Sequence, residues 1–237
     1  VNTLVAYEPV WAIESRPVDS AYVQTAAGVI REVIRNKFGQ VPARTVRILY
    51  GGSVDENNAA AYLQQPDIDG LMVGSKSTKV SWLRPIIQAA TRQGPKQGRI
   101  PYVGANWKTY ALKTQSKQHK HIPFVKLFHE LRAPHRVQLG IAPSLAGISD
   151  LRHVRAGASS TVSQASAQFP PFDILAQRIT HQTGAHTGEV YLGDAIAAGI
   201  TGILAGHSET RANFVGETDK RINQQIKEAY KRKLNTV

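Results

Sequence analysis

A closed barrel of parallel strands, each followed by a helix, is the architecture that this sequence predicts, and three observations predict it. Short, continuously apolar runs alternate with helical patterns along almost all of the 237 residues, as in a parallel sheet covered on both faces. The chemically distinctive residues stand just after the apolar runs, and in a parallel barrel those strand ends converge on one face. No G-x-G-x-x-G fingerprint argues for an open dinucleotide-binding sheet.

The elements follow in order. "TLVAYEPV" precedes a helical "SAYVQTAAGVIREVIRNKFG", and "TVRILYGG" leads into "DENNAAAYLQQ". "GLMVGS" runs into "VSWLRPIIQAATRQ", and "IPYVGANWK" into a helix from Phe124 to Leu131. "VQLGIAPS" precedes "LAGISDLRHVR", "FDILAQ" precedes "GEVYLGDAIAAG", and "ITGILAGHSE" precedes "DKRINQQIKEAYKRK". Each first member bunches apolar residues over a strand length, and each second member spaces them as a helix does. Seven units result, and a parallel barrel of this length is one domain, residues 1–237. Two stretches break the rhythm. "RQGPKQGR" is a Gly/Pro/Lys linker centred on residues 94–98, and "AGASSTVSQASAQFPP" is expected to be a surface excursion.

Composition narrows the function classes. Hydrophobic residues make up 42% and charged residues 19%, the balance of an ordinary globular protein rather than a disordered chain. No apolar run is long enough for a membrane span, no signal segment opens the chain, and a cytoplasmic location is expected. Zero cysteines remove disulfides, thiolate metal sites and cysteine nucleophiles. The net charge of +12 fits a phosphorylated ligand or a solvated basic surface. Its lysines and arginines lack the aromatic interleaving of single-strand binders, so no nucleic-acid partner is expected.

Taken singly, the candidate residues are ordinary. Glu8 is a strand-end carboxylate, Asn106-Trp107-Lys108 polar dressing, His207-Ser208-Glu209 a helix start and Tyr50 to Ser53 a turn. Together, after strands of one barrel, they place a carboxylate, a histidine, a lysine and an asparagine on one face. Two glycine turns, Gly51-Gly52-Ser53 and Gly74-Ser75, follow neighbouring strands. Glycine lets backbone N–H groups approach an anion closely, so these turns are the expected phosphate site.

The motifs "AYEPVWAI", "YGGSV", "PDIDGLMVGS", "GANWK", "AQ" followed by "GAHTGE", and "GHSETR" resemble triosephosphate isomerase. The similarity covers most of the chain and is weak over residues 111–171. The order is rotated: "EPVW", late in the family, comes first, and "NWK" sits mid-chain, as in a circular permutant whose linker joins the family's original ends. The resemblance implies a (β/α)8 TIM barrel and isomerisation of a triose phosphate, with no cofactor and no metal. It makes Glu8 the base, His207 the electrophile, and Lys108, Asn106 and Glu209 its charged and positioning partners. It also implies a lid at Ala12, Ile13, Glu14, Ser15 and Arg16, and a homodimer through a loop from Gln177 that carries Thr187. Two departures are expected to matter. The family's Gly-Thr-Gly-Lys lid tip is here Glu14-Ser15-Arg16-Pro17, and its fifth strand-helix unit is expected to be missing, or reduced to a clipped strand at Leu234 to Val237. The rival expectation is a sugar-phosphate-binding barrel with weak or no catalysis.

Overall fold

The computed structural model describes residues 3–13, 15–110, 121–131, 136–156, 172–184 and 189–237. Eight strands stand in one sheet in chain order: β1 (Leu4–Tyr7), β2 (Arg47–Tyr50), β3 (Gly70–Val73), β4 (Tyr102–Asn106), β5 (Gln138–Ala142), β6 (Asp173–Ala176), β7 (Gly202–Ile203) and β8 (Asn235–Thr236). Every neighbouring pair is parallel. A parallel bridge from Thr3 to Thr236 returns the sheet to its start. The sheet is therefore a nearly closed (β/α)8 barrel. The end of the chain takes the clipped-strand alternative: Asn235 and Thr236 pair with β7, and no gap opens there.

The pleat sorts the strand residues. Successive side chains point to opposite faces. Leu4, Leu49, Met72, Tyr102, Ala142, Leu175, Leu204 and Val237 fill the barrel interior as one cluster. Their neighbours in sequence, Ile48 and Tyr50, Leu71 and Val73, and Val103 and Ala105, join the layer under the helices. Both faces are buried, which is why these strands read as unbroken apolar runs.

The helices are α1 (Ser20–Phe38), α2 (Gln40–Thr45), α3 (Ala59–Leu63), α4 (Val80–Gln93), α5 (Ile122–Glu130), α6 (Leu145–Ala156), α7 (Leu192–Ala198), α8 (Ser208–Asn213) and α9 (Asp219–Lys231). Asp19 caps α1, its carboxylate accepting from the N–H groups of Ala21 and Tyr22. That helix buries Val23, Ala27, Arg31 and Ile34, one stripe at helical spacing. In α9, Ile222, Gln225 and Ala229 are buried, and Gln225 donates to the Ile179 carbonyl at 2.9 Å. The expected surface excursion at 157–171 lies outside the described residues.

The 94–98 linker is fastened rather than loose. Gln97 and Gly98 take positive φ angles of 48° and 81°, which folds Lys96 against Arg99 in an antiparallel bridge. Lys96 donates to the carbonyls of Leu63, at the end of α3, and of Gln65 and Ile68 beyond it. Arg99 pairs with buried Asp69 at 2.7 Å, and Asp69 also binds Arg31 at 2.9 Å and the Ile48 N–H at 3.0 Å. The linker thus closes the strand N-terminal end of the barrel, here called the floor. Inside that floor, Asp173 accepts from Tyr102, Gln138, Asn235 and Thr201. Burial pushes its carboxyl above the usual range, against the opposing pull of those hydrogen bonds.

Candidate active site

At the other end of the barrel, the strand C-termini surround a cavity of about 270 Å³, lined among others by Glu8, Ser53, Gly74, Asn106, Lys108 and His207. Its residues come from the ends of β1, β2, β3 and β4 and from the start of α8. The barrel therefore assembles what the sequence scatters over two hundred positions.

Glu8 leaves β1 just before Pro9, and its Oε2 lies 3.1 Å from His207 Nε2. His207 is the N-cap of α8: its Nδ1 accepts the Glu209 N–H at 3.1 Å. A ring nitrogen that accepts carries no proton, so the hydrogen of this imidazole sits on Nε2, pointed at Glu8. Both side chains are mostly buried, which strengthens the contact. Glu8 also lies against Gly51, where a Cβ would come within 2.6 Å of the carboxylate. Glycine at 51 leaves room for the Glu8 carboxylate.

Lys108 stands in the left-handed region, φ 47°, uncommon for a residue with a side chain. Three bonds hold it there. Its N–H donates to Asn106 Oδ1 at 3.1 Å, and the Gln177 amide donates to both the Lys108 and Ala142 carbonyls at 2.9 Å. Its ammonium pairs with Glu209. Gln177, expected in a subunit loop, is thus a clamp between β4, β5 and β6 that fixes the lysine's backbone. Thr187 lies outside the described residues.

The glycine turns face the same cavity. Among the described residues, the N–H groups of Gly52, Ser53, Gly74 and Ser75 donate to no backbone carbonyl or side chain. The Gly51 N–H is already spent on the Tyr7 carbonyl at 3.1 Å. Ser53 ties the turn to the lid: its hydroxyl donates to the Ala12 carbonyl at 2.8 Å and accepts the Ser15 N–H at 3.2 Å. Ile13 and Pro17 line the cavity, Arg16 is exposed, and Glu14 lies outside the described residues. A Cβ on Gly52 would stand 2.3 Å from the Tyr50 hydroxyl. Gly52→Val is therefore expected to displace the turn and weaken binding of a phosphate analogue about tenfold or more, read by calorimetry. Unchanged affinity would remove this turn from the anion site.

Sequence reasoning missed Lys76, Asp55 and Tyr110, which also line the cavity. Lys76 follows the Gly74-Ser75 turn directly, with its ammonium 3.4 Å from Glu56 and 5.0 Å from the centre of the Trp82 ring. A lysine beside a candidate phosphate turn was the available signal. Glu8 and His207 border a second cavity too, about 470 Å³, which runs along β1 and β8 past Leu4, Ile222 and Val237.

Comparison with known proteins bears on this arrangement. A family model described as triosephosphate isomerase matches residues 1–90 and 101–237. The chain is 46% identical to the triosephosphate isomerase of Symbiobacterium thermophilum over 90 residues, 38% of this chain and 35% of that protein. It is 43% identical to that of Bifidobacterium longum over 90 residues, 38% and 34% of the two chains. With that of Chlamydia abortus it shares 48% over 77 residues, 32% and 30%. The chain spans about a third of the length of these curated relatives.

Proposed function

Since the chain belongs to the triosephosphate isomerase family, we propose that it interconverts dihydroxyacetone phosphate and glyceraldehyde 3-phosphate by moving a proton through an enediol. The observation that carries this reading is the Glu8–His207 contact, with His207 Nδ1 occupied by the α8 backbone. A base and a neutral hydrogen-bond donor then face one cavity, which is what proton transfer beside a carbonyl requires. A neutral histidine at a helix start is an established device of this family, and here the Glu209 N–H accounts for it.

In this reading the substrate's phosphate lies on the free N–H groups of the two turns, and its carbonyl reaches Nε2 of His207. Glu8 turns from His207 to the substrate and takes a proton from carbon. The carbonyl oxygen gains negative charge, stabilised by Nε2–H and the Lys108 ammonium, with Asn106 setting the lysine's backbone. The proton on Glu8 returns to the adjacent carbon while a proton moves between the two oxygens, so the atoms balance. The substrate's own carbonyl acidifies the C–H bond, and the chemistry calls for no metal or organic cofactor.

The two matched blocks, 1–90 and 101–237, flank the fastened linker. This supports the reading of a single domain whose linker joins the family's original ends. A coupled assay with purified protein tests the activity; no turnover with intact phosphate-analogue binding would favour the non-catalytic barrel. The tie from Ser53 to Ser15 supports that rival, because it fastens the expected lid segment to the candidate phosphate turn.

Assembly as a homodimer, and a cytoplasmic location, belong to the same proposal. No helix among the described residues is long and apolar enough to cross a membrane. Beside the Gln177 loop, Phe214 and Val215 are exposed apolar residues of the kind that a partner's loop covers. Light scattering at assay concentration is expected to give twice the chain mass, and a fully active monomer would contradict it.

A further inference from the structure

The floor of the barrel, opposite the substrate cavity, gathers cations of its own. A cavity of about 430 Å³ opens between the end of α2, the start of β2 and the turn at 97–100. Arg44, Arg47, Gln97, Gly98, Arg99 and Gln138 line it, and among the described residues no acidic one does. A cleft of about 320 Å³ shares Arg44, Gln97 and Arg99 and adds Arg31 and Arg35, with Asp67 as its one acid.

These arginines differ in how their charge is met. Arg31 and Arg99 are paired with Asp67 and Asp69, and Arg35 with Glu32. Among the described residues, Arg47 forms no ion pair. It is 7% exposed, and its contacts are neutral: Gln138 Oε1 at 2.8 Å, the Ile100 carbonyl at 3.3 Å and the Tyr102 ring at 5.4 Å. Burial works against its charge, with Tyr102, Asp173 and Asp69 opposing from a distance. A guanidinium keeps its proton in a protein, so the cost of a buried cation is not escaped by neutralisation. Arg44, three residues earlier, is exposed and forms no ion pair among the described residues, and its guanidinium donates no hydrogen bond there. One buried and one exposed guanidinium thus face a cavity that no acidic side chain lines among the described residues.

We propose that this floor cavity binds a small tetrahedral oxyanion, phosphate free or as a monoester, between Arg44 and Arg47. The planar fork of arginine matches a phosphate's oxygens in pairs, and charge-assisted bonds of this kind are the strong ones. Arg47 supplies a desolvated charge held in place by Gln138, and Arg44 supplies the mobile arm that closes on the anion from solvent. Gln97, whose Oε1 accepts from Arg99, donates no side-chain hydrogen bond among the described residues. The site is separate from the substrate cavity and does not depend on the isomerase reading.

The test is a titration of the whole protein, followed by amide NMR, with inorganic phosphate and separately with glycerol 3-phosphate. The amides of Thr45, Gln97 and Gly98 report the floor, and those of Gly52 and Gly74 the substrate cavity. The floor amides are expected to shift saturably with a midpoint of their own. In Arg44→Glu that midpoint rises about tenfold or more, while the Gly52 and Gly74 midpoints and the phosphate-free Tm stay unchanged. Saturation with the monoester alone identifies an ester site, and saturation with both identifies a site for the bare ion. Floor amides that drift without saturating, or an Arg44→Glu midpoint equal to that of the parent, overturn the proposal.

Discussion

Glu8→Gln is expected to lower turnover by about a hundred- to ten-thousand-fold, while a phosphate analogue still binds within about twofold. The two carboxylate oxygens have distinct neighbours: Oε2 meets His207 Nε2, and Oε1 lies over Gly51. An amide fills the same space and can still accept from Nε2–H through its carbonyl, so the packing survives. It cannot take a proton from carbon. The loss should therefore fall on turnover, and the analogue, held by N–H groups of the turns, should report little of it. Steady-state kinetics in both directions, with calorimetry on the analogue, separates the two. Parental turnover in Glu8→Gln would mean that another group is the base.

Asp69→Asn is expected to destabilise the fold by about 3–5 kcal/mol, the usual cost of breaking a buried ion pair by removing one partner. For a chain of this size that corresponds to a Tm lower by about 10 °C. Asp69 is 2% exposed and serves three donors at once: Arg99, Arg31 and the Ile48 N–H. Its carboxylate also opposes the burial that lowers the Lys96 amine to about 8, so its removal strips charge balance from the whole linker. An amide leaves two buried guanidinium groups facing a neutral oxygen. Arg84→Ala, which breaks the exposed pair with Glu130, is the control and should cost under about 1 kcal/mol. Thermal unfolding of both variants decides, and a loss under about 2 °C for Asp69→Asn would mean that the network relaxes around the missing charge.

Much of the barrel was legible because both faces of its strands are buried. Ile48, Leu49 and Tyr50 are all apolar, since one faces the interior and two face the helices. Helices α1 and α4 were equally plain, each a long amphipathic pattern. Helix α2 was not foreseen: "QVPART" is six residues long with no side-chain cap, and it is braced by Arg31 donating to the carbonyls of Ala43 and Val46. Strand β8 carries little local signal either. Asn235 and Thr236 are polar, and their pairing is imposed by β7 on one side and Thr3 on the other. The site residues were legible by their place after strands. Their couplings were not, because Gln177 reaches carbonyls on two other strands and His207 meets a residue 199 positions away.

The narrowness of the join between β8 and β1 bears on how the proton of the proposed reaction is kept. Among the described residues, every other neighbouring pair of strands shares at least two register positions, while this one has the Thr3–Thr236 bridge and a hydroxyl–hydroxyl bond at 3.3 Å. Segments held by few hydrogen bonds open most readily, so backbone exchange along this join should be among the fastest in the sheet. Glu8 and His207 border the cavity that runs beside it. In the proposed reaction, each opening would let solvent reach the Glu8 carboxyl from behind while it carries the proton taken from substrate. A deuterium label started on one carbon would then be washed out before delivery to the next. The label retained in the product becomes a clock for the breathing of the barrel wall.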